Sequence, residues 1–299
     1  MTSGLVNCDG SATSSDMPHD ISPSTVILVV LGAAILHAVW NALVKSGGDP
    51  YLRLAIVNLA QSVIVLPILP FVPVPDAAAW PWLIASVFTH LAYYVFLSSG
   101  YRIGDLSHLY PIARGVAPPL VAVGGIALQG EWLSPAGTLA LTTICAGIWL
   151  LARTGRSAGA KPLLLALATG TMIGIYSVCD GLGARLSGDV LGYIAWLFIL
   201  DGWPFALIIF WMRRGRLGED LRRAWLPSMF GGLFSVTAYG LVIWAMTQMP
   251  LAHVSALRET SVVIAALIGA RLLGEPFGNR RLVSAVIVSA GVAILHLSR

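Results

Sequence analysis

Leu106–Glu131, LSHLYPIARGVAPPLVAVGGIALQGE, and Leu251–Glu275, LAHVSALRETSVVIAALIGARLLGE, decide how this chain is read. Each is long and apolar enough to cross a bilayer, which takes about 20 residues. Yet the first carries His108, Tyr110 and Arg114 in its first half, and the second carries His253, Arg258 and Glu259. Leu106 and His108 recur as Leu251 and His253 at a spacing of 145 residues, and Gly130-Glu131 recur as Gly274-Glu275 at 144. Pro111, Pro118 and Pro119 interrupt the backbone hydrogen bonding of the first copy, so a bent or partly unwound helix is expected there. A polar, interrupted helix that occurs twice in a membrane chain marks the place where two halves meet around a site.

The 299 residues are 57% hydrophobic and only 11% charged, with mean hydropathy +0.81. A water-soluble domain needs a charged coat that this composition does not provide. Apolar runs of spanning length follow one another at 26–46, 51–72, 81–101, 107–128, 133–152, 162–185, 190–212, 225–247, 252–273 and 280–297. The net charge of +4 does not point to nucleic acid, because fourteen of the eighteen Lys and Arg fall at the links after spans one, three, five, seven and nine. Such a bias sets orientation, so both termini are expected on the non-cytoplasmic side of a multi-pass protein of the cell (inner or plasma) membrane. Residues 1–23, polar and without Lys or Arg, lack the basic start and apolar run of a secretion signal and are expected to form a disordered tail. Met17 offers a second start.

The link Arg153–Lys161 divides the spans five and five, giving a first repeat at 24–153, a linker at 154–161 and a second repeat at 162–299. His37–Ser46 lies opposite Tyr176–Arg185 at a spacing of 139, Tyr94 opposite Tyr239 at 145, and Ala146-Gly147 opposite Ala290-Gly291 at 144. Because five is odd, the second repeat must enter the membrane upside down relative to the first. The expected fold is therefore all-α, with ten transmembrane helices in two inverted five-helix repeats around a central cavity.

Helical spacing gathers the polar residues. His37, Trp40, Asn41 and Lys45 share one face of the first span, and Tyr176, Cys179 and Asp180 share the equivalent face of its partner. The third span presents His90, Tyr93 and Tyr94, the fourth Tyr110 and Arg114, the seventh Asp201, and the ninth Ser255, Arg258 and Glu259. A charge at a helix centre costs roughly 2.5–3.5 kcal/mol on insertion scales, so these faces should converge on a protein interior or a wet cavity. Two readings stand for each. The polar group either bonds helix to helix as glue, which suits a single His or Asn, or marks a solute pathway, which suits Arg114, Arg258, Glu259 and Asp180. Spans five and ten instead carry small residues, Gly137, Ala146, Gly147, Ser289, Ala290 and Gly291, suited to close packing as scaffold or as a homodimer contact. The tryptophans near span ends fit an interfacial belt. Cys8, Cys145 and Cys179 form neither a disulfide framework nor a metal-ligand pattern. The sequence has no phosphate-binding glycine loop, no nucleophile elbow and no metal cluster, so neither enzyme, cofactor nor metal is expected.

From about residue 26 to 298 the pattern resembles the EamA-type branch of the drug/metabolite transporter superfamily. The likeness rests on the two five-span halves, on Gly130-Glu131 and Gly274-Glu275 before the last span of each, and on His37-Ala38-Val39-Trp40-Asn41 with Lys45. It implies a cavity lined by spans one to four and six to nine that moves small metabolites by alternating access. In amino-acid exporters of this group aromatic residues line the cavity, which here implies Trp40, Tyr110 and Tyr176, with His90, Tyr93 and Tyr94 adjacent. Arg114 and Arg258 depart from that pattern and favour a solute bearing a carboxylate, phosphonate or sulfonate. The expected function is thus secondary transport of a small polar organic metabolite, anionic or zwitterionic, with export favoured over import. Trp40, Asn41, His90, Tyr94, Tyr110, Arg114, Tyr176 and Arg258 are the expected binding residues, with Glu259 or Asp180 exchanging a proton. A flippase for an anionic lipid headgroup is the alternative from another class.

Overall fold

A computed structural model describes residues 21–45, 49–103, 106–152, 160–213, 218–264 and 279–297. The expected tail up to residue 20, most of the linker 154–161, and Gly274-Glu275 lie outside the described residues. Within the described residues the chain is helical throughout, with no strand. Its α-helices are α1 (Pro23–Lys45), α2 (Pro50–Val65), α3 (Trp80–Ile103), α4 (Leu106–Gln129), α5 (Pro135–Ala152), α6 (Ala160–Arg185), α7 (Val190–Met212), α8 (Gly218–Gln248), α9 (Leu251–Arg258) and α10 (Asn279–Leu297). Seven segments among them are long and apolar enough to cross a membrane, and Pro135–Leu150 and Val283–His296 are shorter apolar helices.

Local chemistry sets the helix ends. Asp49 opens α2 by accepting the Tyr51 N–H at 3.0 Å, with Pro50 in the first turn, where no donor is needed. Asp189 opens α7 in the same way, accepting the Gly192 N–H at 2.6 Å. After Val65 the chain tightens into a 3-10 helix, Leu66–Phe71, that holds Pro67 and Pro70. Gly130 ends α4 in the left-handed region, φ +64°, where a side chain would be strained, and the Glu131 N–H turns back to the Gly125 carbonyl. This explains one half of the Gly-Glu motif: the glycine makes the turn that the glutamate follows.

The interruption expected of the first polar copy falls in the second. α4 runs unbroken through Pro111, Pro118 and Pro119, because neighbouring helices can re-satisfy backbone groups that a proline frees. The break comes instead at Glu259, where the Glu259 and Val262 N–H groups bond carbonyls three residues back, and helix resumes over residues 260–264. No proline is present there.

The helices pair as α1 with α8, α2 with α7, α3 with α6 and α5 with α10, while α4 meets α5, α6 and α9. Large apolar side chains such as Leu28, Phe71, Phe88 and Trp132 stay exposed, whereas Asn58, Ser86, Arg114, Asp180, Arg258 and Glu259 are buried. This inversion of the water-soluble pattern suits a chain whose surroundings are lipid. α5 and α10 stand apart from the polar interior. A side chain on Gly147 would meet the Ser284 carbonyl, and one on Gly291 would meet the Ala140 carbonyl. Gly147 and Gly291 therefore serve close packing of α5 on α10 within one chain.

Candidate functional site

Six helices, α1, α2, α3, α6, α7 and α8, surround a cavity of about 40 Å³. At about 10–15 Å³ per water-sized group it has room for roughly three, far less than a metabolite pocket of several hundred Å³. The cavity is therefore too small for a metabolite in this conformation.

Its walls are aromatic. His90 stacks on Tyr176 with ring centroids 3.9 Å apart and planes 20° apart. Tyr239 stands edge-on to Tyr176 at 5.6 Å. Tyr93 and Tyr94 flank the same stack, and Trp40 closes the α1 side, its indole N–H donating to His37 Nδ1 at 3.1 Å. Polar groups stud this apolar frame. α2 contributes Asn58 and Gln61, and Gln61 Nε2 donates to Ser235 Oγ of α8 at 3.1 Å. α7 contributes Asp201, whose Oδ2 accepts the Tyr94 hydroxyl.

Two further charged clusters lie against this chamber. Asp180, fully buried on α6, accepts hydroxyl bonds from Tyr193 at 3.0 Å and Tyr239 at 2.5 Å. Arg114 Nε lies 2.8 Å from Glu259 Oε2 at ion-pair distance, and Arg114 Nη2 reaches the Arg258 carbonyl at 3.3 Å and Ser261 Oγ at 3.4 Å. Arg258 differs. Its guanidinium is 5.7 Å from the Tyr239 ring centroid and close enough to interact with Tyr176, but none of its three nitrogens has an in-line hydrogen-bond partner.

The structure thus brings Trp40, His90, Tyr94 and Tyr176 together on one chamber, with Arg258 behind two of its tyrosines. It separates the others. Tyr110 borders a different, smaller cleft beside Tyr101 and Leu109, and Asn41 donates back to the His37 carbonyl at 2.8 Å, as a polar residue does to satisfy its own helix. Arg114 is paired with Glu259 and does not form a fork with Arg258. Asn58, Gln61 and Tyr239 were absent from the expected set. Asn58 and Gln61 lie one helical turn apart in an otherwise apolar span, a signal that could have found them.

The Gly-Glu motif of the first half sits outside this chamber. Glu131 Oε1 accepts from Arg185 Nη1 at 2.5 Å, and Oε2 accepts the Leu251 N–H at the start of α9 at 2.8 Å. Among the described residues no group of His, Cys, Asp or Glu could hold a metal ion, and Cys145 and Cys179 are free thiols.

An all-helical bundle with apolar flanks and a buried polar chamber defines a multi-pass membrane protein. In comparisons with known proteins, residues 160–297 match the model of the EamA-like transporter family, a family of the drug/metabolite transporter superfamily. The chain is also 30% identical over 175 residues to the uncharacterized protein PA1977 of Pseudomonas aeruginosa. That match takes in 58% of this chain and 58% of the relative, so it spans less than two thirds of the relative's length. A solved crystal structure shares the fold with TM-score 0.75 at 18% identity, over 93% of this chain and 99% of that one.

Proposed function

We propose that the chain is a secondary transporter that moves a small polar organic metabolite, anionic or zwitterionic, by alternating access. One observation carries the chemical class: Arg258 is buried to 1% exposure, and none of its nitrogens has an in-line partner. The tyrosine rings beside it offset part of the cost of burying the charge, but its N–H groups are left without in-line acceptors, at about 1–3 kcal/mol for each unmet group. A solute carboxylate or phosphonate, held bidentately by the guanidinium, supplies the missing bonds. The tyrosines beside it pack the organic part, and Trp40, His90 and Tyr94 complete the wall.

Helix pairing supports the two-repeat reading. Exchanging the halves turns α1 on α8 into α6 on α3, and α4 on α6 into α9 on α1, and all four pairings occur. α2 on α7, α4 on α9 and α5 on α10 map onto themselves. This pairing favours two repeats of five helices with the chamber at their junction, the place where inverted-repeat carriers bind solute. The break at Glu259 supplies a natural hinge next to Arg258. Glu259, with Oε1 unpartnered and Oε2 beside Arg114, is the better candidate for proton exchange. Asp180, held by two tyrosine hydroxyls, is the better candidate for a fixed structural acid.

The test is a thermal-shift screen of small carboxylates and phosphonates on purified full-length protein, followed by Arg258→Lys. Lysine keeps the charge but lacks the planar fork, so the reading requires a hit on wild type whose affinity falls at least about tenfold in the variant. A hit bound equally well by both would make Arg258 structural and remove the anionic class.

A further inference from the structure

The chamber itself holds an acidic side chain with an unmet oxygen, whereas Arg258 lies behind two of its tyrosines. Asp201 is buried on α7 and lines the cavity. Its Oδ2 is taken by the Tyr94 hydroxyl, but Oδ1 has no partner. Among the described residues no cation forms an ion pair with it, since the ion pairs present are Arg114 with Glu259, Arg185 with Glu131 and Arg213 with Asp49.

Asn58 of α2 lines the same cavity at 1% exposure, and both its Oδ1 and its Nδ2 lack partners. Helices α2 and α7 pack closely at this level, since a side chain on Gly202, the residue after Asp201, would strike the Asn58 carbonyl and Ser62 Oγ. A buried primary amide can make four hydrogen bonds and a carboxylate accepts several, so these side chains leave acceptor capacity facing one small space. Leaving such groups unmet costs about 1–3 kcal/mol each.

A cation that donates hydrogen bonds meets both acceptors at once, and the surroundings favour one type. The rings of Trp40, Tyr93, Tyr94, Tyr176 and Tyr239 line the same chamber. Their negative faces attract an organic ammonium, the ligand that aromatic cages recognise. A bare metal ion prefers a shell of several hard oxygens, which these rings do not offer.

We infer that the Asp201 carboxylate and the Asn58 amide, inside this ring of aromatic side chains, form a binding site for the ammonium group of the transported solute. This rests on the transporter reading and narrows it: the solute is a zwitterion, with its ammonium at Asp201 and its acid group at Arg258. Groups at both ends also favour a zwitterion over a simple anion or a simple amine, each of which meets only one of the two ends.

The experiment measures equilibrium binding on the purified full-length chain with three matched probes: β-alanine with both charges, propionate with the acid only, and propylammonium with the amine only. Wild type should bind β-alanine more tightly than either single-charge probe. Asp201→Asn should abolish propylammonium binding and weaken β-alanine to the level of propionate, a loss of at least about tenfold. Asn58→Ala keeps the carboxylate and tests the site independently if Asp201→Asn misfolds; it should weaken propylammonium severalfold and leave propionate unchanged. The inference is overturned if propylammonium does not bind, if neither variant alters its binding, or if sodium chloride competes as well as propylammonium chloride, which would mark an inorganic cation site. Propylammonium binding without propionate binding would sink the anionic reading of Arg258 while leaving the ammonium site standing. Propionate binding alone would do the reverse.

Discussion

Replacing Glu131 by glutamine tests whether the Gly-Glu motif is a clamp between helices. The Glu131 carboxylate joins the end of α4 to Arg185 at the end of α6 and to the Leu251 N–H at the start of α9. Arg185 extends the clamp to α8 and its exit, donating to the carbonyls of Met246 at 2.9 Å and Met249 at 3.0 Å. Both side chains are mostly sheltered, 16% exposed for Glu131 and 22% for Arg185, so solvent screens the pair less than a surface bridge. Glutamine retains an acceptor for Leu251 but loses the charge on the Arg185 bond, a loss of about 1–2 kcal/mol for a charge-assisted bond. Alanine loses both bonds, about 3–4 kcal/mol on the same scale. At about 2 °C per kcal/mol in a chain of this size, thermal unfolding should fall by about 2–4 °C in Glu131→Gln and 6–8 °C in Glu131→Ala. A double-mutant cycle with Arg185→Gln should return a coupling of about 1 kcal/mol or more. Unchanged melting in Glu131→Gln together with a coupling near zero would show that the three helices are held by packing alone.

Three further outcomes follow from the packing and the ion pairs. Gly291→Val should sharply lower the yield of folded protein, because its branches would be driven into the Ala140 carbonyl and Ile144, while Gly32→Val, with open space around that position, should not. Size-exclusion yield in detergent reads both. Arg114→Gln leaves the fully buried Glu259 unpaired and should destabilise by about 3–5 kcal/mol, whereas Arg114→Lys should recover most of that loss; equal stability of the three proteins would dissolve the pair. A C-terminal reporter active only in the cytoplasm should stay dark, given the placement of Lys and Arg, and a bright signal would reverse the orientation.

Much of this architecture was legible because a bilayer simplifies the physics: a long apolar run must be helix, and a buried charge must have a reason. His37, Trp40, His90, Tyr94 and Tyr176 reach one chamber because helical spacing alone puts them on inward faces. What spacing could not reveal is which polar groups choose one another across helices. Arg114 and Arg258 look equivalent in the two sequence copies, yet one pairs with Glu259 and the other has no in-line partner. The break beside Arg258, at Glu259, is likewise announced by no proline or glycine. Tyr110 was assigned to the cavity by analogy with its family, but its position on α4 turns it toward α3 and α6. Asp201 stood out as an acid within a span, but only its single tyrosine bond exposes the vacant oxygen.

Alternating access around the chamber is the central claim, and solvent access to Asn58 tests it most directly. With Cys8, Cys145 and Cys179 replaced by serine, Asn58→Cys places one thiol in the cavity between α2 and α7. A membrane-impermeant thiol reagent is then applied to right-side-out vesicles and, separately, to inside-out vesicles. A carrier whose chamber opens in turn to each side predicts labelling from both faces, slowed by a bound zwitterionic solute. Labelling from one face only, or from neither, would mean the chamber does not alternate, and the account would fail.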